Sequence, residues 1–398
     1  MASMQPKSLF ADRLSQVQES STIKVMAAAQ KLKAEGIDVV DLGVGEPDFN
    51  TPDNVKEAAK RAIDRNFTRY TPAPGVPALR DAILSRYRAD FGVERTRQEV
   101  IVNVGGKQAI FNAVMSVVNP GDEVLISTPY WVSFPPIVHL SGGTPVFVET
   151  TPESGFQITA QLLARHITPR TKLMIVNSPC NPSGAVVPLK EFSKICALAV
   201  ERQIFLLSDE CYQRFLYDGL KPFTGAAVPE AQRRWVVVIG SLSKTYAMTG
   251  WRIGYTIGPA ELIDRMSTIH SHQTSNPTSI AQAAAIEALT GPQDSVELMT
   301  REFQRRRDFL VPELNKIPGM RCFMPQGAFY AYPDIRGLLK GGIKTCEEFA
   351  ARLLEKAHIA LTAGCAFGTN GFIRISYATA YSELEKTVER LNSFVKAL

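Results

Sequence analysis

The chain has 398 residues, of which 45% are hydrophobic and 21% are charged. This composition is that of an ordinary globular protein, and the length exceeds what one hydrophobic core usually supports, so we expect two domains. Lysine and arginine outnumber aspartate and glutamate by 44 to 39, and this small excess is not gathered into a long basic tract. The charge therefore argues against nucleic acid as a partner and suits anionic small molecules.

The sequence contains no recognisable membrane span, signal peptide or disulfide framework. No apolar run approaches the roughly 20 residues needed to cross a bilayer, and the first residues lack the apolar core of a signal peptide. The six cysteines never form a C-x-x-C pair, and none has a histidine at metal-ligand spacing. We therefore expect a cytoplasmic protein with reduced, mostly buried thiols, no metal and no membrane partner.

The chain begins with a loose polar segment that leads into a helix, a short strand and a loop. Residues 23–34 are alanine-rich with helical spacing, and residues 39–42 have the pattern of a short strand. The turn-rich residues 43–50 follow, and glycines such as Gly45 let backbone approach a ligand closely. A plain connector is an equal interpretation of this loop.

Thr51 or Asp53 is positioned to cap a helix that runs to about Asn66. Three prolines then exclude regular structure from residues 69–77. Tyr70 lies on this stiff loop. It either contributes to a binding site or packs against neighbouring residues.

From residue 99 to about residue 258, short β-rich runs alternate with helical ones, which predicts a parallel sheet covered on both faces. Ligands of such sheets gather at the carboxyl ends of the strands, so the residues after each run are candidates for a site. The β-rich runs are residues 99–104, 123–127, 145–149, 172–177, 204–208 and 236–240.

The residues after the first and second β-rich runs are suited to binding an anion and a flat ring, respectively. Gly105 and Gly106 precede Lys107 and open a helix, whose free amides form an anion site that phosphate would fit. Trp131 follows the second run and offers an indole for stacking, unless it is an ordinary core aromatic.

Two further strand ends carry polar groups. A rigid proline-flanked loop presents Asn181 after the fourth run, and the fifth run leads into Asp209-Glu-Cys-Tyr212. An isolated aspartate at a strand end is more often a helix cap. The coincidence over five strand ends nevertheless favours a single aromatic phosphate ligand.

The sixth run leads into the segment of residues 241–252, which places a lysine beside two hydroxyls and ends at an arginine. Lys244 can condense with an aldehyde to form a Schiff base. Ser241, Ser243 and Arg252 can hold a phosphate through charge-assisted hydrogen bonds. A lone lysine would more often lie on a solvated loop, but in this company the pattern suits a phosphorylated aldehyde cofactor.

The C-terminal part is more helical and charged, and residues 301–308 read as a solvated helix face. Residues 346–356 predict a helix, and residues 327–332 and 372–377 predict strands. Arg374 lies in the middle of the last strand, where its guanidinium fits a carboxylate or a structural ion pair equally well. Since no internal repeat or low-complexity linker is present, we expect the second domain to be built from both chain ends.

Taken in order, these motifs resemble those of the class I pyridoxal-phosphate aminotransferases of fold type I, close to the bacterial aspartate aminotransferases. The resemblance covers nearly the whole chain. It rests on Gly45-Glu-Pro-Asp-Phe, Tyr70, Gly105-Gly-Lys-Gln, Pro129-Tyr-Trp, Asn181-Pro-Ser-Gly, Asp209-Glu-Cys-Tyr, Ser-Leu-Ser-Lys244 and Arg374-Ile-Ser-Tyr.

The resemblance implies an α/β fold in two domains. The large domain, expected over residues 53–299, has a mainly parallel seven-stranded sheet between helices. The smaller α+β domain is expected over residues 1–52 and 300–398.

The resemblance also implies three catalytic residues and the cofactor pyridoxal 5′-phosphate. Lys244 carries the cofactor and shuttles a proton, and Asp209 keeps the pyridine nitrogen protonated so that the ring withdraws electrons. Tyr212 acts with Asn181 on the phenolic oxygen of the cofactor, and Trp131 stacks on the ring.

The cofactor phosphate is expected to be held by residues of two subunits, which implies a homodimer with shared active sites. Tyr70 would come from the neighbouring subunit. The residues of the same subunit would be Gly105, Gly106, Lys107, Ser241, Ser243 and Arg252.

The expected substrate contacts favour a dicarboxylic amino acid. Arg374 would take the α-carboxylate with Asn181, Trp131 and the backbone near Gly45, and the family uses the position of Lys107 for the distal carboxylate. The resemblance therefore implies transfer of the amino group of L-aspartate to 2-oxoglutarate by a ping-pong mechanism.

Other reactions on the same cofactor remain open, because they share every cofactor residue. A β-lyase, or an aminotransferase for prephenate, an aromatic amino acid or alanine, would differ only in its substrate contacts. Prephenate activity in relatives goes with a basic residue in a Pro-Ser-Ala-Thr context before the first helix. Residues 18–22 read Gln-Glu-Ser-Ser-Thr here, which departs from that pattern.

A different class of protein, the ligand sensor of a transcription regulator, can also be built on this fold. It would need a DNA-binding domain and a linker ahead of it, and the residues before Ile23 are too few to supply them.

Overall fold

The structure is a computed structural model that describes residues 10–19 and 21–398. Residues 1–9 of the predicted small domain, and Ser20 of the segment on which the prephenate argument rests, lie outside the described residues. Helices α1 to α13 of the described part are Ser21–Ala34, Asp53–Asp64, Pro77–Phe91, Gly105–Val117, Phe134–Leu140, Ala160–Ala164, Leu189–Arg202, Leu242–Thr245, Ala260–Gln273, Ser279–Thr290, Asp294–Asn315, Cys346–Ala357 and Tyr381–Lys396. Strands β1 to β12 are Val40–Asp41, Val100–Val104, Glu123–Thr128, Thr144–Glu149, Thr171–Asn177, Phe205–Asp209, Val236–Ser241, Ile253–Ile257, Tyr330–Ala331, Ile359–Ala360, Thr362–Ala363 and Ile373–Ser376.

A seven-stranded sheet with the order β2-β8-β7-β6-β5-β3-β4 forms the centre of the molecule. Neighbours among β7, β6, β5, β3 and β4 are parallel, whereas β8 is antiparallel to both β2 and β7. The strands are apolar along most of their length because helices cover both faces. The expected mainly parallel α/β sheet is confirmed.

Six of the seven strands coincide with the β-rich runs of the sequence, and β8 is the one that the residue pattern did not single out. It follows the lysine segment closely and returns antiparallel between β2 and β7, so it lacks the long helical crossover that marks a parallel strand. Because β2, β3, β5, β6 and β7 run in the same direction, their carboxyl ends lie at one edge of the sheet.

A smaller unit packs beside the sheet and contains residues from both ends of the chain. Strands β11-β12-β9 form an antiparallel sheet, and β1 pairs with β10 in parallel. Val40 and Leu42 share one hydrophobic core with Phe329, Ile375 and Leu391. The prediction that both chain ends build this unit is therefore confirmed.

The charged stretch at residues 301–308 is not a uniformly solvated face, so that prediction is wrong for two of its arginines. Arg306 and Arg307 are 5% and 2% exposed. Arg306 forms two hydrogen bonds to Asp48, at 2.7 and 3.0 Å, and Arg307 forms two to Asp218, both at 2.8 Å. The acids come from distant segments, which helical spacing alone does not reveal.

The predicted cap of the second helix is also wrong. Pro52 occupies the capping position of α2, and no side chain there accepts a hydrogen bond from the first turn. The Thr51 hydroxyl donates instead to the carbonyl oxygen of Ala247 at 2.6 Å, so it fastens the loop to the lysine segment.

No helix in the described part of the chain is both long and apolar enough to cross a membrane.

Candidate active site

A cavity of about 320 Å³ opens where the carboxyl edge of the central sheet faces the smaller unit. It gathers most of the predicted site residues. Those in its wall are Gly45, Gly106, Lys107, Trp131, Asn181, Asp209, Tyr212, Ser241, Ser243, Lys244, Arg252 and Arg374.

Two predicted residues are not in the cavity wall. Gly105 lies just behind it, because a Cβ at this position would be 2.3 Å from Nη2 of Arg252. Tyr70 is 89% exposed on the loop before α3, and the structure does not bring it to the other residues of its chain.

The start of α4 forms an anion cradle with backbone amides at its floor. Gly105 has a φ of +78°, a conformation that favours glycine, and begins the helix directly at the end of β2. A Cβ on Gly254 of β8 would lie 2.5 Å from backbone atoms of Gly105 and Gly106, so only glycine permits this approach. Gly254 was missed in the sequence because its partner is a distant backbone rather than a motif.

The hydroxyls and the cation of the lysine segment complete the cradle. Ser241 ends β7 and caps α8, and its Oγ accepts a hydrogen bond from the Ser243 amide at 3.2 Å. Arg252 is exposed and in the left-handed region, with Nη1 donating to the Thr249 carbonyl oxygen at 2.8 Å. Amides at a helix start, hydroxyls and a guanidinium are the groups that hold a phosphate.

Lys244 lies on the floor of the cavity in α8, just after the end of β7. Its Nζ donates a hydrogen bond to the carbonyl oxygen of Gly45. Desolvation lowers the pKa of Lys244 to about 8, aided by the charges of Arg252 and Arg374 and opposed by those of Cys211 and Glu46. A lowered pKa leaves part of this amine neutral, as condensation with a carbonyl requires.

Asp209 ends β6 and is 4% exposed. Its Oδ1 accepts a hydrogen bond from the Cys211 amide at 3.2 Å. Burial raises the pKa of Asp209 to about 6, and the contacts with Cys211 oppose that shift. A carboxylate with so little compensation inside the protein suits a cationic partner in the cavity.

Tyr212 reaches the cavity from the turn after β6 and contacts a tyrosine that sequence reasoning missed. The Tyr212 and Tyr330 hydroxyls lie 2.7 Å apart, and burial raises the pKa of Tyr212 well above its usual value. Tyr330 also faces the 43–50 loop, since a Cβ on Gly45 would lie 2.6 Å from its hydroxyl oxygen. The only signal for Tyr330 was its place in the predicted strand at 327–332.

Arg374 of β12 closes the cavity from the smaller unit and is 2% exposed. Its Nη1 donates to Asn181 Oδ1 at 3.0 Å, and its Nη2 donates to the Gly43 carbonyl oxygen at 2.6 Å. The guanidinium also lies over the rings of Tyr330 and Phe367, at 4.7 and 4.9 Å from their centres. Its buried Nε has no hydrogen-bond partner in the described residues, and a buried cation held only by neutral groups suits a carboxylate ligand.

Lys107 and Trp131 lie together at the rim. The Lys107 ammonium is 5.2 Å from the centre of the Trp131 ring, and the lysine is exposed. The exposed ammonium is therefore available to a ligand, and the indole can cover a flat ring.

The electrostatic balance of the cavity is strongly positive. Lys107, Lys244, Arg252 and Arg374 line it, whereas Asp209 is the one carboxylate among the described lining residues. Such a site attracts anions, and one reactive amine beside several anion-binding groups can hold a phosphorylated carbonyl compound and a carboxylic acid together.

Two further residues line the cavity although the sequence did not predict them as site residues. Both lie at or near the ends of predicted strands. Asn177 ends β5, and its Nδ2 donates to the Asp209 carbonyl oxygen at 3.2 Å while its Oδ1 accepts from the Asn181 amide at 2.8 Å. Cys211 lies between Asp209 and Tyr212 and contacts the space beside Gly106. Asn177 therefore positions the backbone of Asp209 and Asn181, and the Cys211 amide positions the Asp209 carboxylate. The residue types of Asn177 and Cys211 do not indicate this role in the sequence.

Comparison with known proteins assigns this site to a family. An aspartate aminotransferase from Bacillus sp. (strain YM-2) is 44% identical over 98% of this chain and 100% of its own length. An aspartate/prephenate aminotransferase from Cereibacter sphaeroides is 46% identical over 98% of this chain and 99% of its own. The solved aspartate aminotransferase of Rhizobium meliloti is similar with a TM-score of 0.93 and 42% identity, covering 98% of this chain and 99% of that one.

A second solved structure, the aspartate aminotransferase of Thermus thermophilus with maleate, is similar with a TM-score of 0.92 and 41% identity. That similarity covers 97% of this chain and 100% of the other. The family described as aminotransferase class I and II matches residues 37–391. The family expected from the motifs is confirmed: this chain belongs to the class I and II aminotransferases.

Proposed function

We propose that this chain is an aspartate aminotransferase that transfers the amino group of L-aspartate to 2-oxoglutarate with pyridoxal 5′-phosphate as its cofactor. The observation that carries the proposal is the charge of the cavity, where four cationic side chains accompany a single carboxylate among the described lining residues. One phosphate and two substrate carboxylates would balance this excess. The names of the similar proteins support the same substrate.

The residues present fit the cofactor. Gly105 and Gly254 leave no room for a Cβ where the anion cradle meets Arg252 and the start of α4. Ser241 and Ser243 add hydroxyls, so Gly105, Gly106, Lys107, Ser241, Ser243 and Arg252 would hold the phosphate. Trp131 would cover the ring, and Asn181 with Tyr212 would donate to its phenolic oxygen.

The proposed mechanism assigns the proton transfers to two residues. When bound, the cofactor supplies an aldehyde that accepts an amine and a ring that withdraws electrons from the substrate α-carbon. Lys244 Nζ would take the proton from that carbon and return it in the course of each half-reaction. The Asp209 carboxylate, ionised at neutral pH with its pKa near 6, would hold a proton on the ring nitrogen.

Substrate binding would use the two sides of the cavity. Arg374 would bind the α-carboxylate, with Asn181, Trp131 and the backbone at Gly45 completing the contact. Lys107 at the rim would bind the distal carboxylate. That the Thermus thermophilus relative was solved with maleate, a dicarboxylate, supports this assignment.

A coupled assay of the cofactor-loaded protein tests the substrate. Aspartate with 2-oxoglutarate should give a higher kcat/KM than alanine or phenylalanine, because only a dicarboxylic amino acid uses Lys107. A normal cofactor spectrum with poor aspartate turnover would reject the substrate and leave the cofactor assignment intact. The absence of any cofactor absorbance would reject both.

Prephenate is a second candidate acceptor because the relative from Cereibacter sphaeroides, at 46% identity, is named for both substrates. Thr22, the last residue of the segment that departs from the prephenate pattern, and Ile23, which follows it, line the cavity. We expect a lower kcat/KM for prephenate than for 2-oxoglutarate. An equal or higher kcat/KM for prephenate would contradict this expectation.

We also propose a homodimer in which Tyr70 contacts the cofactor phosphate of the neighbouring subunit. The 89% exposure of Tyr70 and the lack of a partner for it within the site of its own chain support this arrangement. Mixing Tyr70→Ala chains with Lys244→Ala chains tests it, since each hybrid dimer would regain one intact site. Each hybrid dimer should have about half the activity of a wild-type dimer. If verified hybrid dimers recover no activity, shared sites would be rejected.

The domain boundaries at residues 52/53 and 299/300 and the cytoplasmic location stay predictions of the sequence. Helix α11 runs continuously through the second boundary.

A further inference from the structure

Two thiols of the smaller unit lie side by side, outside the active-site cavity. Cys346 is the first residue of α12, and Cys365 lies in the turn Gly364–Phe367 that precedes β12. Their sulfur atoms and a carboxylate oxygen of Glu347 all lie within 4.8 Å of one another. Both cysteines are free, Cys346 is buried and Cys365 is partly exposed, so the pair is reachable from one side.

The surroundings of Cys346 are polar although the residue is buried. Its Sγ is 3.3 Å from Asn370 Oδ1 and 3.4 Å from Glu347 Oε2. Thr345 caps the helix through its hydroxyl, which accepts from the Glu348 amide at 3.2 Å. A thiol at the first position of a helix lies where the helix dipole favours a thiolate.

Hydrogen bonds within the pair strengthen this effect. The Cys365 thiol and the amides of Cys365 and Gly371 lower the pKa of Cys346 to about 7, against the opposing effects of burial and of the Glu347 charge. Sharing its proton in this way raises the pKa of Cys365. One of the two sulfurs is therefore substantially ionised at neutral pH.

The other four cysteines of the chain behave differently. Burial is the main cause that raises the pKa of each, so their thiols stay protonated and unreactive. They are Cys180, Cys196, Cys211 and Cys322.

We propose that Cys346 and Cys365 form a reversible oxidation site, which a peroxide converts into an intramolecular disulfide. The thiolate of the pair attacks one peroxide oxygen, the O–O bond breaks, and a sulfenic acid and hydroxide result. The second thiol then attacks the oxidised sulfur and water leaves as the S–S bond forms. Two thiols are oxidised to one disulfide, and one hydrogen peroxide is reduced to two waters.

The two sulfurs lie within 4.8 Å of each other, so a disulfide requires them to approach further. The turn that carries Cys365 is held by the Gly364 amide, which donates to the Phe372 carbonyl oxygen at 2.8 Å. Before α12, by contrast, the exposed Gly341 and Gly342 both have positive φ. Formation of the bond would shift one or both of these segments.

The same turn contacts the proposed substrate-binding side of the active site. The ring of Phe367 packs against Arg374, and its carbonyl oxygen accepts from the Tyr130 amide at 3.0 Å. A disulfide at Cys365 would pull on this contact, so we expect oxidation to raise the KM for the amino-acid substrate. The cross-link itself does not depend on the proposed activity.

Peptide mapping of the full-length, cofactor-loaded protein tests the site. After treatment with hydrogen peroxide and alkylation of the remaining thiols, a peptide pair joining Cys346 to Cys365 should appear, and free thiols should fall from six to four. Dithiothreitol should restore them. Failure to find that peptide pair in the wild-type protein, or oxidation confined to other cysteines, would overturn the proposal.

Matched variants separate the pair from general thiol oxidation. Cys346→Ser and Cys365→Ser should each abolish the cross-link, whereas Cys196→Ala, at a buried cysteine elsewhere, should retain it. A tightly bound metal ion that occupies the pair and blocks the cross-link would also overturn the proposal. A cross-link that forms without any change in KM would overturn the coupling to Arg374.

Discussion

The two sides of the active-site cavity are built in different ways. On the sheet side, Asp209 ends β6 and Lys244 lies just after the neighbouring strand β7, so the pairing of these strands brings them together. On the opposite side, Arg374 donates hydrogen bonds to Gly43 and Asn181, which lie 331 and 193 residues away in the chain. One side depends on a single rigid edge, and the other depends on the meeting of three distant segments.

This difference separates the chemistry from the choice of substrate. The groups proposed to hold the cofactor and to move protons stand on one sheet, where small changes elsewhere do not shift them. Of the groups proposed to bind carboxylates, Arg374 stands on the smaller unit and Lys107 at the start of α4, so their spacing depends on how the two units pack. Substitutions on the two sides should therefore change different kinetic parameters.

The largest effect is expected for Lys244→Ala on the sheet side. Turnover of aspartate should fall by roughly 10²- to 10⁴-fold, since no other described amine lies on the cavity floor to move the proton. The variant should still bind the cofactor, which its absorbance would show, and Lys190→Ala at an exposed lysine serves as the control. Full activity of Lys244→Ala would refute the proposed role of the sheet edge.

On the opposite side, Arg374→Lys should keep a buried charge and lose the two-pronged contact with the α-carboxylate. Loss of such a charged hydrogen-bonded pair costs about 2–5 kcal/mol, so kcat/KM should drop strongly. Aspartate and alanine should lose by similar factors, because both carry the α-carboxylate. A loss confined to aspartate would show that Arg374 serves the distal carboxylate instead.

Glu210 tests the stability of the sheet edge, because it adjoins Asp209 but forms a separate buried network. It accepts hydrogen bonds from Ser208, Gln213 and the Gly225 amide at 2.7 to 2.9 Å. Burial raises the pKa of Glu210 from 4.5 to about 7, so its stabilising contribution is complete at low pH and is lost as pH rises through about 7.

Glu210→Gln removes this dependence. Between about pH 4 and about pH 8, the free energy of unfolding of the variant should rise relative to the wild type by ~3 kcal/mol, a figure that follows from the size of the pKa shift. Urea unfolding of the cofactor-free proteins measures it, with Glu57→Gln at an exposed glutamate as the control. A pH-independent difference between Glu210→Gln and wild type would contradict the assignment.

The smallest effect is expected for Lys107→Ala at the exposed rim. Exposed charge pairs contribute up to about 1 kcal/mol, so the KM for aspartate should rise by up to about fivefold while that for alanine changes little. Equal effects on both amino acids would remove the basis for the dicarboxylate assignment. The comparison with Arg374→Lys then shows whether the two carboxylates bind at separate places.

Much of the sheet side could be predicted because its information is local. Buried strands appear as apolar runs and their ends as turns with polar residues, so the sequence alone placed Asp209 and Lys244 after adjacent β-rich runs. The antiparallel strand β8 was the exception, since no helical crossover marked it. The glycines at 105 and 106 were likewise visible as a turn that opens a helix.

The opposite side was decided by tertiary structure. The strand pattern around Arg374 left a carboxylate ligand and a structural ion pair equally open, and only its burial beside neutral partners distinguishes them. Other contacts likewise join segments that are separate in the sequence. They are the contact of the Tyr330 hydroxyl with Tyr212, the hydrogen bonds of the buried Arg306 to Asp48, and the pairing of Cys346 with Cys365. Periodicity in the sequence indicates which face of a helix or strand is buried. It does not indicate which residues pack against that face, because those residues come from distant parts of the chain. Only the folded chain shows these contacts.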